Sequence, residues 1–393
     1  DYNAMLDRVV AVLREVVHMT PPNIGDRIAF ADWLNSWALA KRLKHLDLRG
    51  RRDLLDLFTK SAGELLDHYF EGEPLKAVLG WDSVVGNFAS PYTPGSAYVL
   101  LHHLFGEVNG KSGTWGHAIG GMGAITQAMR RECEARGVAI ETNAEIAKLL
   151  VADGKAVGVA LADGRELRAK TIASSLNPKL LYSKLVERPQ LDDDTAQRIE
   201  RYRCGSGTFR MNVALSELPD FTAMPGTNLQ PHHQSGILVG PSLQYFEQAY
   251  FDAKSKAHNA GWARKPIVEV VISSTLDDTL VDGSLAPAGA HVASLFCQQV
   301  NPDVDDWDAH RDTVAKLMID TVNEYAPNFA RSVIGYEALS PLDLERRIGL
   351  VGGDIFHGAL GPDQMFSARP LLGQGNYRGA FENLYLCGSG THP

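Results

Sequence analysis

The chain has 393 residues, of which 45% are hydrophobic and 22% are charged. This is the composition of an ordinary globular protein, so it excludes a disordered chain, and the length predicts two or three domains. The 38 basic and 47 acidic residues give a net charge of −9. A field of that sign repels phosphate backbones, which excludes a nucleic-acid partner.

The first hundred residues are predicted to be largely helical. Apolar residues recur at helical spacing from Leu6 to Val17, and Pro21 ends this pattern. The same spacing recurs in three further segments, Ile28–Leu39, Leu54–Lys60 and Glu64–Phe70. The next stretch, Gly80–Gly121, is rich in Gly, His and aromatic residues and is predicted to be irregular. A segment of this kind usually carries function or wraps a ligand.

The middle of the chain changes to short strands. A helix is predicted over Met122–Cys133 with Gly137 as its left-handed cap, followed by a short strand at Val138–Glu141. Two Asp-Gly turns then separate runs of alternating apolar residues. These runs predict a three-stranded antiparallel meander with the strands Ile146–Val151, Ala156–Leu161 and Glu166–Ile172.

The second half alternates strands with helices, so the predicted class is α/β, with a large mixed sheet that is not of the Rossmann type. Strands are predicted at Phe209–Leu215, Ile267–Ser273, Val292–Gln298, Val333–Leu339 and Asn383–Cys387, and helices at Asp192–Arg203 and Val314–Tyr325. The acidic cluster Asp303, Asp305, Asp306 and Asp308 precedes the second helix. We interpret it as compensation of the helix dipole.

Common catalytic and metal motifs are absent from the sequence. It contains no G-x-G-x-x-G, no phosphate-binding P-loop, no G-x-S-x-G and no H-E-x-x-H. The pairs His102-His103 and His232-His233 are adjacent, so their side chains are expected to point to different sides, and no metal site is predicted. The four cysteines form no redox motif, which favours a reducing compartment, either the cytoplasm or, in a eukaryote, the mitochondrion.

Three segments together resemble a known family. They are GGMGAITQAM from Gly120, NAEIAKLLVADGKAVGVALADGRELRAKTIASSLNP from Asn143, and GGDIFHGALGPDQMFSARP from Gly352 followed by LYLCGSGTHP. The chain resembles the phytoene-desaturase-like branch of FAD-dependent oxidoreductases, which is related to the amine oxidases. Within that branch it is most similar to proteins named pyridine nucleotide-disulfide oxidoreductase domain-containing. The resemblance covers nearly the whole chain.

The resemblance implies a division of the chain between two domains. Residues 1–115 would be the helical part of a substrate domain, and residues 116–180 a segment of a Rossmann-like FAD domain that carries the meander. Residues 181–345 would form the sheet and helices of the substrate domain, and residues 346–393 would return to the FAD domain.

The resemblance also assigns residues to the cofactor. Backbone groups of Ile146 would bind the adenine. The turn Gly388-Ser389-Gly390 would approach the pyrophosphate and ribityl chain, because glycine permits close approach. Thr391 and His392 would lie near the flavin edge.

Further candidates come from irregular regions. Trp115, His117 and Gly120-Gly121 precede the helix that starts beside the flavin in relatives, while His357, Gln364-Met365 and Arg369 would lie on the substrate side. His357 could carry a proton, although a hydrogen-bonded structural role is favoured. No catalytic residue is assigned.

Family members begin with a βαβ unit that binds the FAD pyrophosphate, and their last motif continues beyond His-Pro. The chain is therefore expected to be truncated at both ends and to hold FAD poorly, although FAD is the cofactor expected of the full-length protein. The predicted activity is dehydrogenation, desaturation or isomerisation of a small apolar substrate. The alternative is a non-catalytic interaction protein that keeps the fold without the cofactor.

Two contacts are considered for the helical region from Asp1 to Phe70. Desaturases of this kind take substrates from bilayers, but the predicted exposed faces mix acidic and basic residues without a dominant basic side. Membrane contact is therefore not indicated, and a buried subdomain or a homodimer contact is favoured.

Overall fold

The computed structural model describes residues 1–25, 28–255, 261–284 and 286–392, with the backbone alone at His102 and His103. The helices within these ranges are α1 (Tyr2–Val17), α2 (Phe30–Leu43), α3 (Leu48–Thr59), α4 (Ala62–Tyr69), α5 (Glu73–Trp81), α6 (His102–Phe105), α7 (Met122–Ala135), α8 (Pro178–Lys184), α9 (Asp193–Arg201), α10 (Leu243–Ser255), α11 (Trp307–Asn323), α12 (Phe329–Ser332) and α13 (Pro341–Ile348). The strands are β1 (Glu107–Val108), β2 (Lys111–Ser112), β3 (Ile146–Ala152), β4 (Lys155–Leu161), β5 (Glu166–Arg168), β6 (Ile172–Ser174), β7 (Phe209–Leu215), β8 (Ile237–Val239), β9 (Trp262–Val271), β10 (His291–Val300), β11 (Val333–Leu339) and β12 (Leu384–Leu386). The α/β class is confirmed.

The largest sheet has five strands in the order β11-β7-β10-β9-β8. Every neighbouring pair in it is antiparallel, which corrects the expectation of a mixed sheet. Periodicity indicates which face of a strand is buried but says nothing about its direction, so the sequence could not settle this point. Both faces of the sheet are covered. Helix α11 packs with alternate residues of β7, β9 and β10, and α10 packs on the opposite face with α1, α3, α4 and α5.

The predicted meander is confirmed as β3-β4-β5, and Asp153 and Gly154 both have positive φ at its first turn. Its third strand is shorter than expected. The segment that begins at Ile172 forms β6 and leaves the meander to pair in parallel with β12. This pairing joins residues more than 200 positions apart, and a third core made of β3, β4, α8, α9 and β12 surrounds it.

The short strand predicted at Val138–Glu141 is wrong. The structure leaves this segment irregular, and the side chain of Val138 is 51% exposed. No other strand of the described ranges lies beside it to complete a hydrogen-bond ladder, so its strand-like composition produces no strand. The helix before it does form as predicted, and Gly137 has φ +77° at its end.

The acidic cluster has the role predicted for two of its members. Asp306 caps α11, because its side chain accepts a hydrogen bond from the Ala309 N–H, and Asp308 lies in the first turn. Both positions place negative charge at the positive end of the helix dipole.

Among the described helices, none combines the length and the apolar character that crossing a bilayer requires.

Candidate functional site

The closing turn, Gly388 to His392, follows directly from β12. Gly388 has φ +80°, and a methyl group added there would lie 3.7 Å from Cβ of Ser175, just after β6. A methyl group at Gly390 would lie 2.6 Å from Cδ of Pro178, at the start of α8. The turn therefore passes so close to β6 and α8 that only glycine fits at Gly390.

A cleft of about 400 Å³ lies beside the predicted adenine residue. Ile146 at the start of the meander lines the cleft, and residues of β6 and Ser175 after it line its other side. The described residues of the closing turn do not line this cleft. The turn follows β12, which pairs with β6, and the Cys387 N–H donates a hydrogen bond to the Ser174 carbonyl at 2.9 Å, so β6 is the element that links the cleft to the turn.

Arg369 organises the loops on the other side of the turn. Its side chain is 1% exposed, yet no carboxylate of the described residues pairs with it. Instead, the guanidinium donates to backbone carbonyls of residues 356–364 and to one in the turn: Phe356 O at 2.6 Å, Gly358 O at 3.3 Å, Ala359 O at 3.4 Å, Gln364 O at 3.1 Å and Ser389 O at 2.9 Å. One buried cation therefore fixes two loops relative to each other.

Asp354 lies near this cation without forming an ion pair with it. Its side chain accepts hydrogen bonds from the Gly205 N–H at 2.7 Å and the Phe356 N–H at 2.9 Å. Burial raises the pKa of Asp354, and the charge of Arg369 partly opposes this shift. Asp354 and Arg369 both form hydrogen bonds with the backbone of Phe356, and they thereby position the loop that carries His357.

His357 lies against the closing turn, with its Cβ 3.5 Å from the position of a methyl group on Gly390. It has φ +59°, which is uncommon for a residue with a side chain, and its carbonyl accepts a hydrogen bond from the Tyr202 hydroxyl at 3.0 Å. Burial lowers its pKa. Nδ1 of the ring is buried without a partner among the described residues, so the hydrogen-bonded role favoured from the sequence is not seen at this nitrogen.

His392 is the second histidine of the site and, unlike the half-buried His357, it is buried. It is 2% exposed, and neither ring nitrogen reaches a partner in hydrogen-bond geometry within the described ranges. Burial lowers its pKa, and carbonyls at the end of α1 partly offset this effect. Its ring contacts Phe366 at 5.9 Å and Tyr377 at 6.1 Å between centroids.

Two apolar cavities lie beside His392 and the closing turn. One of about 180 Å³ lies between α1, α2 and α3 and reaches Phe366 and His392. The other, of about 270 Å³, reaches Ser389, Thr391 and Arg369. Phe58, which lines the first cavity, stacks at 4.8 Å on Tyr98, which lines the second. The closing turn is thus reached through largely apolar space.

The remaining candidates are divided between two places. Gln364 and Met365 belong to the Arg369 loops: Gln364 pairs through its amide with the backbone N–H and carbonyl of Arg203, and Met365 lines the second cavity. His117 and Gly120 instead contact Asp277, in the loop after β9. Trp115 is 75% exposed.

Sequence analysis does not single out Asp277, although this residue organises the loops around it. Its side chain is inaccessible and accepts hydrogen bonds from the Thr279 hydroxyl at 2.6 Å and from the Gly120 N–H at 2.7 Å, with His117 Nε2 at 3.1 Å. These groups hold the pKa of Asp277 well below its usual value, with Thr279 the largest contributor.

Because the folded state depresses this pKa, Asp277 stabilises the fold at neutral pH, and its contribution is lost as the pH falls below about 4. We expect Asp277→Asn to lower the melting temperature at neutral pH and to make it less sensitive to acid. Thermal unfolding followed between about pH 7 and pH 3 tests this. The exposed neighbour Asp278, changed to Asn, is the control, and equal acid sensitivity in wild type and Asp277→Asn would contradict the assignment.

The sequence singles out two pairs of adjacent histidines, and the structure describes the side chains of the second pair, His232 and His233. The rings of His232 and His233 lie 4.0 Å apart in a short turn, which corrects the expectation that they point to different sides. His233 is engaged with Gln230 N–H and Pro219 O. Within the described residues, no group of three or more metal-ligating side chains is found, and the side chains of His102 and His103 lie outside them.

The closing turn can be compared with what a dinucleotide cofactor requires. Gly388 and Gly390 have no side chains, which lets β6 and α8 pack directly against the backbone of the turn, and the cavity of about 270 Å³ reaches Ser389 and Thr391 beside them. Nδ1 of His357 is a buried polar atom without a partner among the described residues, so a ligand could satisfy it. These residues, with Ser389 and Thr391, are the ones that would hold FAD from this side.

Comparisons with known proteins show to which family the chain is similar. No family model matches the chain. "Pyridine nucleotide-disulfide oxidoreductase domain-containing protein 2" of Rattus norvegicus is 36% identical over 413 residues, which cover 100% of this chain and 68% of the rat protein. "Phytoene desaturase (lycopene-forming)" of Pseudescherichia vulneris is 27% identical over 88% of this chain and 65% of its own length. The chain thus spans about two thirds of each relative.

Among solved structures, an oxidoreductase from Methanosarcina mazei has the same fold. Its TM-score is 0.54 at 16% sequence identity, and the match covers 95% of this chain and 73% of that protein.

Proposed function

This chain belongs to the family of pyridine nucleotide-disulfide oxidoreductase domain-containing protein 2, and we propose that it forms the substrate region and the closing side of the cofactor site in a flavin-dependent oxidoreductase. The family confirms the resemblance found in the sequence. The proposed reaction is dehydrogenation, desaturation or isomerisation of an apolar substrate.

One observation carries this proposal: two apolar cavities border the closing turn, and the strand before this turn pairs with β6, which lines the cleft that contains Ile146. FAD, when bound, would supply the hydride-accepting chemistry. The protein would contribute position and exclusion of water, since Phe366 and Tyr98 line the approach and Arg369 fixes the loops around it. Strong acids and bases are not required for such chemistry. Arg369 and Asp354 are engaged with backbone groups of the loops, which leaves the two histidines as the other titratable groups beside the turn.

His357 is the residue we propose as a proton carrier beside the turn. Burial lowers its pKa, so the ring is neutral near pH 7 and Nδ1 can accept a proton. The same nitrogen has no competing partner among the described residues.

The first experiment is an ultraviolet–visible spectrum of the purified protein at its natural full length. We expect flavin absorption bands, and their bleaching when an apolar donor substrate is supplied anaerobically. Absence of flavin bands even after FAD is added would overturn the proposal and favour the non-catalytic interaction protein.

A variant of the closing turn tests the site itself. Gly390→Ala would press a methyl group against Pro178, so we expect the turn to shift and FAD affinity to fall by about tenfold. Gly106→Ala is the matched control, because a methyl group there meets no atom within 4 Å. FAD titration followed by flavin fluorescence gives both affinities, and equal values for the two variants would show that the turn does not hold the cofactor.

A further inference from the structure

The five-stranded sheet carries a half-buried cation, Arg210, in strand β7. The register pairs Arg210 with Phe296 of β10 and with Leu339 of β11, and paired residues of antiparallel strands project to the same face. Its neighbours in β7, Phe209 and Met211, project to the other face and are buried in the core with α11. Arg210 therefore lies on the face against which α10 packs.

No carboxylate of the described residues lies within ion-pair distance of the Arg210 guanidinium. Its Cζ lies 4.7 Å from the centre of the Phe296 ring, and Nη2 donates a hydrogen bond to Ser294 Oγ at 2.9 Å. A guanidinium has five N–H donors, so one hydroxyl leaves most of them for another acceptor. Burial lowers the pKa of Arg210, and Cys297 and Glu269 oppose this shift only in part. The positive charge is thus available to an anionic ligand.

Polar side chains lie beside Arg210 on the same face of the sheet. Asn212 follows two positions later in β7, is exposed, and pairs with Ser294 on one side and Glu337 on the other. Glu337 is also exposed and forms an ion pair with Arg347 at 2.8 Å. The Ser294 hydroxyl and the Asn212 amide therefore add donors next to the guanidinium, which is a suitable set for a carboxylate.

Apolar side chains lie between Arg210 and the closing turn. The Phe296 ring beneath the guanidinium contacts Trp81 at 6.0 Å between centroids. Trp81 belongs to the same apolar core as Tyr98 and Met365. These last two residues line the cavity of about 270 Å³ that borders the closing turn. A cation without a paired carboxylate thus lies at one side of an apolar core, and the turn lies at another.

We propose that Arg210 binds the carboxylate of an acid with an apolar chain, with Ser294 and Asn212 as further donors, and that this acid is the substrate of the proposed oxidoreductase. A planar guanidinium can form two parallel hydrogen bonds with a carboxylate. A single cation neutralises one negative charge, so a carboxylate fits better than a phosphate dianion. The chain would extend along Phe296 and Trp81 towards the cavity. Binding of the acid does not depend on the proposed function, whereas its role as substrate rests on that function.

Binding of decanoate and of 1-decanol by the protein at its natural full length tests the site, with isothermal titration calorimetry as the readout. At about pH 7.5 we expect decanoate to bind about tenfold more tightly than 1-decanol, because only the acid pairs with Arg210. Equal affinities would overturn the proposal. Inorganic phosphate, an anion without an apolar chain, should leave decanoate binding unchanged, and displacement of decanoate by phosphate would also overturn it.

Two variants of Arg210 locate the anion. Arg210→Met should lower decanoate affinity by about tenfold and leave 1-decanol affinity unchanged. Arg210→Lys keeps the charge but loses the planar pair of donors, so it should lower decanoate affinity by about threefold, and it serves as the test if Arg210→Met does not fold. Wild-type decanoate affinity in either variant would contradict the assignment.

The matched control is Arg131→Met, which removes an exposed charge on α7. It should bind decanoate as wild type does, and a loss equal to that of Arg210→Met would reduce the effect to net charge and overturn the proposal.

FAD titration of the same proteins distinguishes this inference from the proposed function. Arg210→Met should bind FAD as wild type does, and loss of FAD binding would place Arg210 in the cofactor site and overturn the inference. Selective decanoate binding by a protein that takes up no flavin would support the acid site and overturn its role as the substrate site.

Discussion

Replacement of Arg369 by Met is expected to lower the free energy of unfolding by about 3 to 5 kcal/mol. The substitution keeps much of the side-chain volume but removes the donors that satisfy five buried carbonyls of two loops. It also removes the positive charge that offsets the burial of Asp354. Urea unfolding followed by tryptophan fluorescence and far-ultraviolet circular dichroism gives the change.

The control for this variant is Arg378→Met, nine positions away on an exposed stretch of the same segment. It should change stability by less than about 0.5 kcal/mol. Arg369→Lys is informative as well, because a lysine keeps the charge but cannot reach five carbonyls in a fixed plane. A stability of Arg369→Met within about 0.5 kcal/mol of wild type would show that the carbonyls are satisfied in another way.

The five backbone carbonyls that accept hydrogen bonds from Arg369 illustrate a limit of sequence analysis. Sequence analysis named Arg369 as a candidate site residue. The residues around it in the sequence do not indicate, however, that the carbonyls of Ser389 and Phe356 both accept hydrogen bonds from it. Such a site depends on loops that meet only after β12 pairs with β6, and long-range pairing leaves no periodic signal. Asp277 was missed for the same reason, since its partners His117 and Gly120 lie about 160 positions earlier.

Local signals were sufficient elsewhere. The Asp-Gly turns predicted the meander because two-residue hairpins require residues that accept positive φ, and Asp153 and Gly154 adopt it. The strands β7 and β11 were predicted with the boundaries observed. In β7, buried residues alternate with more exposed ones, which is the pattern that the sequence indicates for a strand with one buried face.

Helix α2 shows where periodicity misleads. Its pattern predicted a helix correctly, but the choice of the buried face rests on the assumption that large apolar residues face inward. Trp33 and Trp37 face solvent instead. The inner side carries the smaller residues Leu39 and Leu43, which line the cavity beneath the helix. A sequence pattern shows which residues share one side of a helix, but it does not show whether that side meets solvent, the protein core or a partner.

Gly358→Ala is expected to destabilise the site most strongly of the glycine substitutions. A methyl group at Gly358 would lie 1.9 Å from the hydroxyl oxygen of Tyr202, and the residue has φ +154°, where a side chain is strained. Tyr202 is 3% exposed and cannot move into solvent without leaving the core. We expect a loss of at least about 3 kcal/mol in the free energy of unfolding, measured by urea titration.

The double variant Gly358→Ala/Tyr202→Leu identifies the cause of that loss. If the contact with Tyr202 dominates, the double variant will be less destabilised than the sum of the two single variants, by about 1 kcal/mol or more. Gly373→Ala is the control for positive φ alone, because Gly373 has φ +95° and a methyl group there meets no atom within 4 Å. Strict additivity would place the whole cost in the backbone, and the loop that presents His357 would then be held by its dihedral angles and not by its packing on Tyr202.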